Sequence, residues 1–413
     1  MKACVFTLGC KVNSCESSSL MRGLYELGYE VTSKLCAADL YVINTCAVTR
    51  EAEKKSRQAI ARARKFSPNA KIIVTGCASQ KSPESFLKKE GVYLVTGAIN
   101  KDKLFDVINQ NGVVLDDSTE YYRRYFPLEL EKTRYYLKIQ DGCDNFCSYC
   151  VIPYLRGRSR SRDIDDILRE LDGVNCSEVV LTGINVSAYD YEGKKLPDVI
   201  YALKDYPFRL RLSSLEDNVV SEELVHALKS LKDFAPHFHL SLQSGSDKVL
   251  KEMNRHYSTK VFTDSVDLIR KNFPSAAITT DVIVGYSTET DEDFEKTYDF
   301  CKKTGFADIH CFAYSPREGT VGYRLKPLPP EVTKKRLDRL LRLKVELKKN
   351  FSTSFIGKTL SFIPEKTADG YSEGYSANYI RIYVRGELPV GEKTDVVAKE
   401  LFRDGLLCEI AAK

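Results

Sequence analysis

The stretch Gly142–Cys150, GCDNFCSYC, places three cysteines within eight residues, directly after a predicted strand. Spacings of three and two residues let one loop surround a metal cluster. Iron–sulfur clusters are normally held by four cysteines, so three thiolates leave one iron of a 4Fe–4S cluster open for chemistry. The alternatives are zinc, which needs a fourth ligand that the nearby sequence lacks, and a Cys147–Cys150 redox pair, which gives Cys143 no role. A third is a set of buried structural thiols, which rarely occur at this density.

A second set of three cysteines is spread over the first part of the chain. Cys10, Cys46 and Cys77 each follow an apolar strand pattern and a small turn, about one βα unit apart. The carboxyl ends of parallel strands lie at one edge of a sheet, so these thiols can converge there. The alternative is three small residues at crowded strand ends. We favour a second cluster, held by this N-terminal trio as the first is held by the central trio of Cys143, Cys147 and Cys150.

The composition sets limits on the class of protein. The chain has 413 residues, 43% apolar and 29% charged, which is typical of a globular protein of about two to four domains. Thirteen cysteines are an odd number and too few for a disulfide scaffold, so reduced, metal-binding thiols are expected. No apolar run approaches a membrane span, and the chain starts in a strand pattern without a signal peptide. We therefore expect a cytoplasmic protein that does not enter a membrane.

Hydrophobic periodicity divides the chain into five segments. Residues 1–115 alternate strand and helix patterns and predict an α/β domain with a parallel sheet, and residues 116–135 read as a linker. Six βα units over 136–330 predict a partial (βα)6 barrel. A basic connecting helix is expected over 331–351, and short strands with Gly-rich turns over 352–413 predict a small antiparallel β-barrel.

Predicted strand positions accompany this division. In the first domain the expected strands are Lys2–Leu8, Leu40–Asn44, Lys71–Thr75 and Val92–Val95. In the central domain they are Tyr136–Gln140, Glu178–Thr182, Arg209–Ser213, His239–Leu242, Ile278–Val284 and Asp308–Phe312. In the tail they are 361–364, Tyr379–Arg385, Thr394–Ala398 and Leu407–Ile410.

Positive charge is concentrated in a few segments. Residues 331–350 hold eight basic and three acidic residues, and residues 50–65 hold seven and two. Such stripes suit a polyanion, although a solvated helix face explains any one of them equally well. Four arginines between Arg156 and Arg162 are expected to hold RNA or a substrate carboxylate. Rings interleaved with cations in Tyr121–Phe126 are typical either of RNA stacking or of a linker packed on the barrel.

The two trios and the β tail together resemble the methylthiotransferases of the radical S-adenosylmethionine group. The shared strings are TLGCKVN (Thr7–Asn13), NTCAVT (Asn44–Thr49), QDGCDNFCSYC (Gln140–Cys150), RGR (Arg156–Arg158), HLSLQSGSD (His239–Asp247) and YSPREGT (Tyr314–Thr320). The resemblance implies an N-terminal cluster domain, a radical S-adenosylmethionine type partial barrel and a C-terminal TRAM domain, an OB-like RNA-binding β-barrel. TLGCKVN and KIQDGC are most similar to the branch acting on N6-threonylcarbamoyladenosine.

This resemblance implies a reaction at position 37 of tRNA that uses two 4Fe–4S clusters and two molecules of S-adenosylmethionine. The central trio would generate the radical that takes hydrogen from adenine C2, and the N-terminal trio would present the methylthio sulfur. The implied partners are the tRNA anticodon stem-loop and an electron donor such as flavodoxin or ferredoxin, and we expect a monomer. Alternatives are isopentenyladenosine in tRNA, a ribosomal protein aspartate, or a non-catalytic RNA-binding iron–sulfur protein.

The resemblance also implies the residues that contact S-adenosylmethionine. They are Tyr149, Gly183, Asn185, Ser214, Glu216, Gln243, Arg255 and Gly285. Arg255 is the best charged partner for the methionine carboxylate, because its planar fork matches that group. Two departures affect loops near the adenine: Gly285–Thr290 reads GYSTET where the family has GFPGET, and Ser214–Asp217 reads SLED where it has SIEP.

Overall fold

The computed structural model describes residues 1–128 and 133–411 and arranges them in three sheet systems that follow one another along the chain. The predicted fold class is confirmed: a parallel α/β domain, a partial βα barrel and a small C-terminal β-barrel. Residues 129–132 of the predicted linker and residues 412–413 lie outside the described part. Among the described helices, none has the length and apolar character needed to cross a bilayer.

The N-terminal domain is a parallel sheet between two layers of helices. Its strands are β1 (Lys2–Thr7), β2 (Glu30–Thr32), β3 (Leu40–Thr45), β4 (Lys71–Gly76), β5 (Val92–Thr96) and β6 (Gly112–Val114). Its helices are α1 (Lys11–Glu26), α2 (Arg50–Phe66), α3 (Cys77–Lys81), α4 (Pro83–Leu87) and α5 (Leu104–Val107). In the described residues the strand order is β2-β1-β3-β4-β5-β6, with every pair parallel.

Burial explains why these strands are almost continuously apolar. Alternate residues of β3 enter two different cores: Tyr41 and Ile43 pack on the α2 side, and Leu40 and Val42 pack on the α1 side. A strand covered on both faces has no solvent-facing side and therefore carries few polar residues. The short edge strands β2 and β6 were not predicted from the sequence, since three residues are too few to show a period.

The central domain is an open barrel made of two parallel sheets joined at residue 213. One sheet contains β7 (Arg134–Lys138), β10 (Glu178–Thr182) and β13 (Arg209–Leu212), and the other contains β14 (Ser214–Leu215), β15 (His237–Gln243), β16 (Ala277–Val284) and β17 (Asp308–Ala313). Two antiparallel pairs lie in its loops: β8 (Gln140–Asp141) with β9 (Arg160–Ser161), and β11 (Asp190–Tyr191) with β12 (Lys194–Lys195). The predicted partial barrel is therefore confirmed, with β7 starting two residues earlier than predicted.

Helices surround this barrel and shield its core. They are α6 (Ile152–Arg156), α7 (Ile164–Leu171), α8 (Leu196–Ala202), α9 (Glu222–Lys229), α10 (Asp247–Glu252), α11 (Thr259–Asn272) and α12 (Asp291–Thr304). Thr290 begins α12 with a reciprocal capping box to Asp293, and Gly305 ends it in the left-handed conformation. At the open edge of the barrel, α1 of the N-terminal domain packs against β7.

A long helix connects the barrel to the C-terminal domain. This helix, α13 (Pro330–Thr353), packs against β17 and α12. The C-terminal strands are β18 (Thr359–Ala368), β19 (Tyr371–Ser376), β20 (Arg381–Arg385), β21 (Thr394–Phe402) and β22 (Gly405–Ile410). They close in the order β18-β19-β20-β22-β21. The pair β20–β22 is parallel, so the prediction of a wholly antiparallel barrel is wrong in this pair, while the other four pairs are antiparallel.

Candidate active site

The N-terminal trio lies at the carboxyl edge of the first sheet, where the topology was expected to place it. Strands β1, β3 and β4 are neighbours, and Cys46 and Cys77 directly follow the last two of them. Cys10 follows β1 at the start of α1. The register pairs Thr45 with Gly76, so β3 and β4 end at the same level. Parallel pairing therefore brings together three thiols that are far apart in sequence.

Two glycines permit this close approach. Gly9 has a φ of +107°, and a Cβ built there would lie 3.0 Å from the Cys46 sulfur. Gly76 has a φ of +105°, and a Cβ there would lie 2.5 Å from the Thr45 carbonyl oxygen. Both the backbone conformation and the space exclude a larger residue. Burial raises the pKa of the Cys46 thiol, and its neighbours Cys77 and Cys10 raise it further.

The central trio lies on the loop between β8 and α6. The Cys143 N–H donates to the Gly157 carbonyl at 3.1 Å, and the Cys150 N–H donates to the Cys147 carbonyl at 2.9 Å. Gly142 has a φ of +72°, and a Cβ there would lie 1.9 Å from the Arg158 carbonyl oxygen. Burial raises the pKa of the Cys143 thiol and raises that of Cys150 to about 12. Without a metal these thiols stay protonated, and a bound metal ionises them.

Both trios suit a metal cluster better than a single zinc ion. Zinc–thiolate bonds of about 2.3 Å in a tetrahedron place sulfurs about 3.8 Å apart. Among the described side chains, neither trio has its three sulfurs all within 4.8 Å of one another. All thirteen cysteines are free thiols, so neither trio is oxidised to a disulfide. A 4Fe–4S cluster spans a wider set of thiolates, and the residues present fit such a group.

Three of the predicted cofactor residues converge beside the central trio. The Arg255 guanidinium lies 3.4 Å from the Cys147 sulfur and forms an ion pair with Glu216 at 3.0 Å. The second carboxylate oxygen of Glu216 accepts from the Asn185 amide at 3.1 Å. The ring of Tyr257 lies under the guanidinium at 4.8 Å. Elements far apart in the chain therefore build one polar wall next to Cys147.

Two cavities adjoin the trios. The larger, about 860 Å³, is bounded by Cys10 and Lys11, by the barrel interior and by Tyr379 and Arg381 of the C-terminal domain. The smaller, about 200 Å³, is mainly apolar and reaches Cys150. Residues of all three domains therefore line the larger cavity, and three side chains line both cavities: Val48, Ile152 and Phe312.

Four of the other predicted cofactor residues line one of the two cavities, and the fifth, Gly285, lies elsewhere. Gly183 and Ser214 line the larger cavity, and Tyr149 and Gln243 line the smaller. Gln243 is held at a φ of +67°, an uncommon conformation for a residue other than glycine. Gly285 packs instead against α13, where a Cβ would lie 2.5 Å from the Thr333 hydroxyl. Contact of these residues with the cofactor stays a prediction.

A buried ionic network, which we call the inter-trio network, joins the two cysteine loops. It consists of Asn13, Glu16, Lys101, Lys138, Asp141 and Arg156. Asn13 donates to the carbonyl oxygen of Thr45, the residue before Cys46, and Asp141 accepts from the N–H of Gly142, the residue before Cys143. Arg156 lies between them and donates to Asn13 at 2.7 Å and to Asp141 at 3.0 Å.

The cations of the inter-trio network keep its buried glutamate ionised. Burial alone favours the neutral form of Glu16, but Arg156, Lys101 and Lys138 outweigh it and hold its pKa well below the usual value. Breaking such a buried group by removing one partner is costly, because the remaining charges lose their compensation. The sequence showed no sign of this network, whose members are separated by up to 143 residues.

The structure corrects the expectation that the arginines of 156–162 hold RNA or substrate. Arg156 and Arg162 are completely buried, and Arg160 is 8% exposed. Arg162 pairs with Glu170 at 2.5 Å, and Arg156 belongs to the inter-trio network. Buried carboxylates neutralise Arg156, Arg160 and Arg162. Arg158 alone is exposed, and it pairs with Asp144.

The aromatic stretch Tyr121–Phe126 also packs inward rather than presenting a platform for RNA. The Tyr121 ring lies beneath the Lys138 ammonium at 5.4 Å, and Arg123 pairs with buried Glu170 at 3.1 Å. The basic helix α13 likewise uses Arg336 to pair with buried Glu289 at 2.6 Å. The contacts of Tyr121 and Arg123 favour the packed alternative for the aromatic stretch, whereas Lys334, Lys335, Arg342 and Lys349 of α13 stay exposed as on a solvated helix face.

Sequence reasoning missed a histidine–carboxylate cluster on the wall of the larger cavity. His239 and His310 lie 3.2 and 3.1 Å from the two carboxylate oxygens of Asp281, and the rings stack with centroids 5.0 Å apart. One ligand atom from each residue lies within 4.8 Å of the others, so the three side chains have the chemistry to hold a cation. In this structure both oxygens of Asp281 are already satisfied by the imidazoles. Their shared inward face on adjacent strands is the signal that would have revealed them.

Comparison with known proteins gives two family matches. Residues 137–301 match the Radical SAM superfamily, and residues 2–97 match the Uncharacterized protein family UPF0004. The first match covers the barrel with the central trio, and the second covers the sheet with the N-terminal trio.

Full-length relatives agree with both matches. The chain is 37% identical over 403 residues to the threonylcarbamoyladenosine tRNA methylthiotransferase MtaB of Bacillus subtilis (strain 168), covering 92% of this chain and 89% of that protein. It is 35% identical to the tRNA-2-methylthio-N(6)-dimethylallyladenosine synthase of Fervidobacterium nodosum, covering 89% of each. The solved radical S-adenosylmethionine methyltransferase TsrM from Kitasatospora setae has a similar fold, with a TM-score of 0.56 and 13% identity over 90% of this chain and 81% of TsrM.

Proposed function

This chain belongs to the radical S-adenosylmethionine tRNA methylthiotransferases, and on that premise we propose that it converts N6-threonylcarbamoyladenosine at position 37 of tRNA into its 2-methylthio derivative. The enzyme is a transferase that uses S-adenosylmethionine and 4Fe–4S clusters. The proposal adds the identity of the nucleoside and the presence of two clusters, one at each cysteine trio.

The observation that supports this function best is that the cavities beside the two trios adjoin each other. Cys10 lines the larger cavity and Cys150 lines the smaller, and both cavities are bounded by Val48, Ile152 and Phe312. Hydrogen removal and sulfur transfer must act on the same carbon of one substrate. Two sites that open on adjoining cavities allow a single bound adenine to approach both.

The residues of the chain have separable roles in this proposal. With its S-adenosylmethionine and clusters bound, the site is supplied with a hydrogen-abstracting radical and with the methylthio sulfur. Arg255, held by Glu216, would bind the carboxylate of S-adenosylmethionine. Asn185 would orient the carboxylate of Glu216 through its hydrogen bond. Tyr149 and Phe312 help to make the smaller cavity apolar, which excludes water from a reactive species.

The larger cavity has the size for a nucleotide extruded from an anticodon loop. Its volume of about 860 Å³ lies within the range of small-molecule sites, and it opens beside the C-terminal barrel. There Tyr375 stacks on Tyr379, and Tyr379 stacks on His237, each at 4.6 Å between ring centroids. We propose that this barrel acts as a TRAM domain that holds the stem-loop against the cavity, since rings and cations suit unpaired bases and phosphates.

Sequence similarity supports the threonylcarbamoyl substrate over the dimethylallyl one. The first relatives, at 35–38% identity, are named for threonylcarbamoyladenosine, and those named for dimethylallyladenosine follow at 33–35%. TLGCKVN, at the N-terminal trio, is also most similar to the first branch. We further propose a cytoplasmic monomer reduced by flavodoxin or ferredoxin, which suits an enzyme of tRNA.

The test is nucleoside mass spectrometry of tRNA. The chain is expressed in a bacterial strain that lacks its own 2-methylthio activities but makes both N6-modified adenosines. We expect 2-methylthio-N6-threonylcarbamoyladenosine to appear, with isopentenyladenosine unchanged. Appearance of the 2-methylthio isopentenyl nucleoside alone would assign the chain to the other branch. If the tRNA gains no methylthio group and a ribosomal protein is methylthiolated, the substrate is a protein and the proposal is rejected. If no methylthiolated product of either kind forms, the proposal is rejected in favour of a binding role.

A further inference from the structure

Lys11 is a cation without a partner on the wall of the larger cavity. It directly follows Cys10, stands at the first position of α1 and lines the cavity. Among the described residues, no carboxylate lies within 4.0 Å of its ammonium, and it forms no side-chain hydrogen bond. The Lys11 side chain is exposed at the cavity wall, where a bound guest can reach its ammonium.

The charges that face Lys11 come from the central barrel. Arg134 on β7 and Arg211 on β13 repel its ammonium, and Glu178 on β10 and Asp281 on β16 attract it. Both acids are already committed: Glu178 to Arg211 at 2.7 Å and to Arg134 at 2.5 Å, and Asp281 to its two histidines. The exposed ammonium of Lys11 is therefore left without an ionic partner at the cavity wall, which favours an anionic guest.

Other charged groups of the cavity do not offer the same arrangement. Arg381, at the C-terminal wall, pairs with Glu373 at 2.6 Å, and Asp308 pairs with Lys344 at 3.3 Å. Lys348 lies on α13 and lines the same cavity. Lys11 is distinguished by its position next to a cysteine of the N-terminal trio.

Chemistry of the substrate identifies the anion. In adenine, C2 and the carbon bearing N6 flank the same ring nitrogen, so a C2 directed toward Cys10 brings the N6 substituent near Lys11. The threonylcarbamoyl group ends in a carboxylate, whereas an isopentenyl group has no charge. We propose that Lys11 binds the carboxylate of the N6-threonylcarbamoyl group and so selects an adenosine that carries an anion. This inference rests on the proposed function.

The test compares two anticodon stem-loops that differ only in that charge. One carries N6-threonylcarbamoyladenosine, and the other carries the same group with its carboxylate converted to an amide. Binding to the reconstituted holoenzyme is measured by fluorescence anisotropy. The wild type is expected to bind the carboxylate form about tenfold more tightly. Lys11→Met abolishes that preference while leaving the affinity for the amide form unchanged, and Lys11→Arg retains it.

Two controls make the result specific. Lys348→Met removes a positive charge from another wall of the cavity and keeps the preference for the carboxylate form. Iron content and the visible absorption of the cluster are measured for each variant, with Lys11→Gln as a second neutral substitution. A preference that persists in either neutral variant with full iron content, or a wild type with no preference, overturns the inference.

Failure of this inference is distinguishable from failure of the proposed function. If Lys11 does not bind the carboxylate, the wild type still produces the 2-methylthio threonylcarbamoyl nucleoside, and only the binding preference of the variants differs from expectation. If the proposed function is wrong, that product is absent from wild-type turnover.

Discussion

Arg156 donates a 2.7 Å hydrogen bond to the side-chain oxygen of Asn13, and this contact joins the two cysteine loops. Asn13 in turn holds the Thr45 carbonyl before Cys46, while Arg156 holds Asp141 before Gly142. The relative position of the trios is thus fixed by buried, charge-assisted hydrogen bonds rather than by surface contacts. Such bonds are short and directional, which suits two sites that must act on one carbon.

Removing the Arg156 side chain should destabilise the protein strongly. Arg156→Met leaves Glu16 and Asp141 buried with fewer cations, and the expected loss is about 3 kcal/mol in the free energy of unfolding. Arg158→Met is the matched control, because Arg158 is 69% exposed and forms a surface pair with Asp144. It should change stability by less than about 0.5 kcal/mol. Urea denaturation of both variants measures the difference, and equal midpoints would contradict the role of Arg156.

Acid should destabilise the protein through Glu178, which pairs with Arg211 and Arg134 in the barrel. Burial favours its neutral form, but Arg211 and Arg134 outweigh burial and lower its pKa to about 2. A lowered pKa in the folded state means that Glu178 stabilises the protein above its unfolded pKa of 4.5, and that this contribution is lost as the pH falls toward 2.

The measurement is the free energy of unfolding of the wild type and of Glu178→Gln, each determined at two pH values. At pH ~7 the variant should be less stable by about 3 kcal/mol, since two buried guanidinium groups lose their shared carboxylate. At pH ~3 the difference should shrink, because wild-type Glu178 is then closer to protonation. Glu346→Gln, on the exposed face of α13, serves as the control. A stability gap that does not depend on pH would show that Glu178 acts through packing alone.

Gly9 offers a test of the N-terminal trio that leaves every thiol in place. Gly9→Ala introduces a Cβ at a φ of +107°, 3.0 Å from the Cys46 sulfur. Gly28→Ala imposes a similar backbone strain at a φ of +86°, with no heavy atom within 4 Å of the new Cβ. We expect Gly9→Ala to lose about half of the iron of the reconstituted protein and Gly28→Ala to retain it. Equal iron content in the two variants would remove the argument for close approach at Gly9.

Arg255 should govern affinity for S-adenosylmethionine more than turnover. Arg255→Lys keeps the charge but loses the planar fork that faces Glu216 and the stacking on Tyr257. The KM for S-adenosylmethionine should rise about tenfold, a loss of about 1.4 kcal/mol, with iron content unchanged. Arg270→Lys, on the outer helix α11, is the control and should behave as the wild type. An unchanged KM in Arg255→Lys would exclude a contact with the cofactor.

Regular elements were predictable where burial imposes a clear period. The pattern EVVLT at Glu178–Thr182 gave the observed bounds of β10, and the other barrel strands lie within a few residues of their predicted positions. Strand β19 was missed because YSEGYS is polar and contains a glycine, and its stability comes from pairing with β18 and β20. Local propensity does not contain that information.

The site was predictable where a local sequence pattern marks its residues. The spacing Cys143–Cys147–Cys150 identifies one trio directly, and repetition of strand-turn-cysteine identifies the other. The buried role of Arg156 was not predictable, because its partners Asn13 and Glu16 are more than 100 residues away and only the fold brings them together. From the sequence alone, an arginine next to a metal-binding loop is expected to bind the anionic group of a ligand. The anionic partners of Arg156 are instead buried carboxylates of the protein itself.

We propose that each trio binds its own cluster and that the two clusters perform different steps on one substrate. The most direct measurement compares Cys46→Ala and Cys143→Ala after anaerobic reconstitution, with Cys36→Ala as the control. For each variant, iron content, 5′-deoxyadenosine formation and methylthiolated tRNA are determined. The account predicts that both variants hold about four irons where the wild type and Cys36→Ala hold about eight. It further predicts that Cys46→Ala still forms 5′-deoxyadenosine without methylthiolated product, whereas Cys143→Ala forms neither. Methylthiolated tRNA from Cys46→Ala, or full iron content in either trio variant, would contradict it.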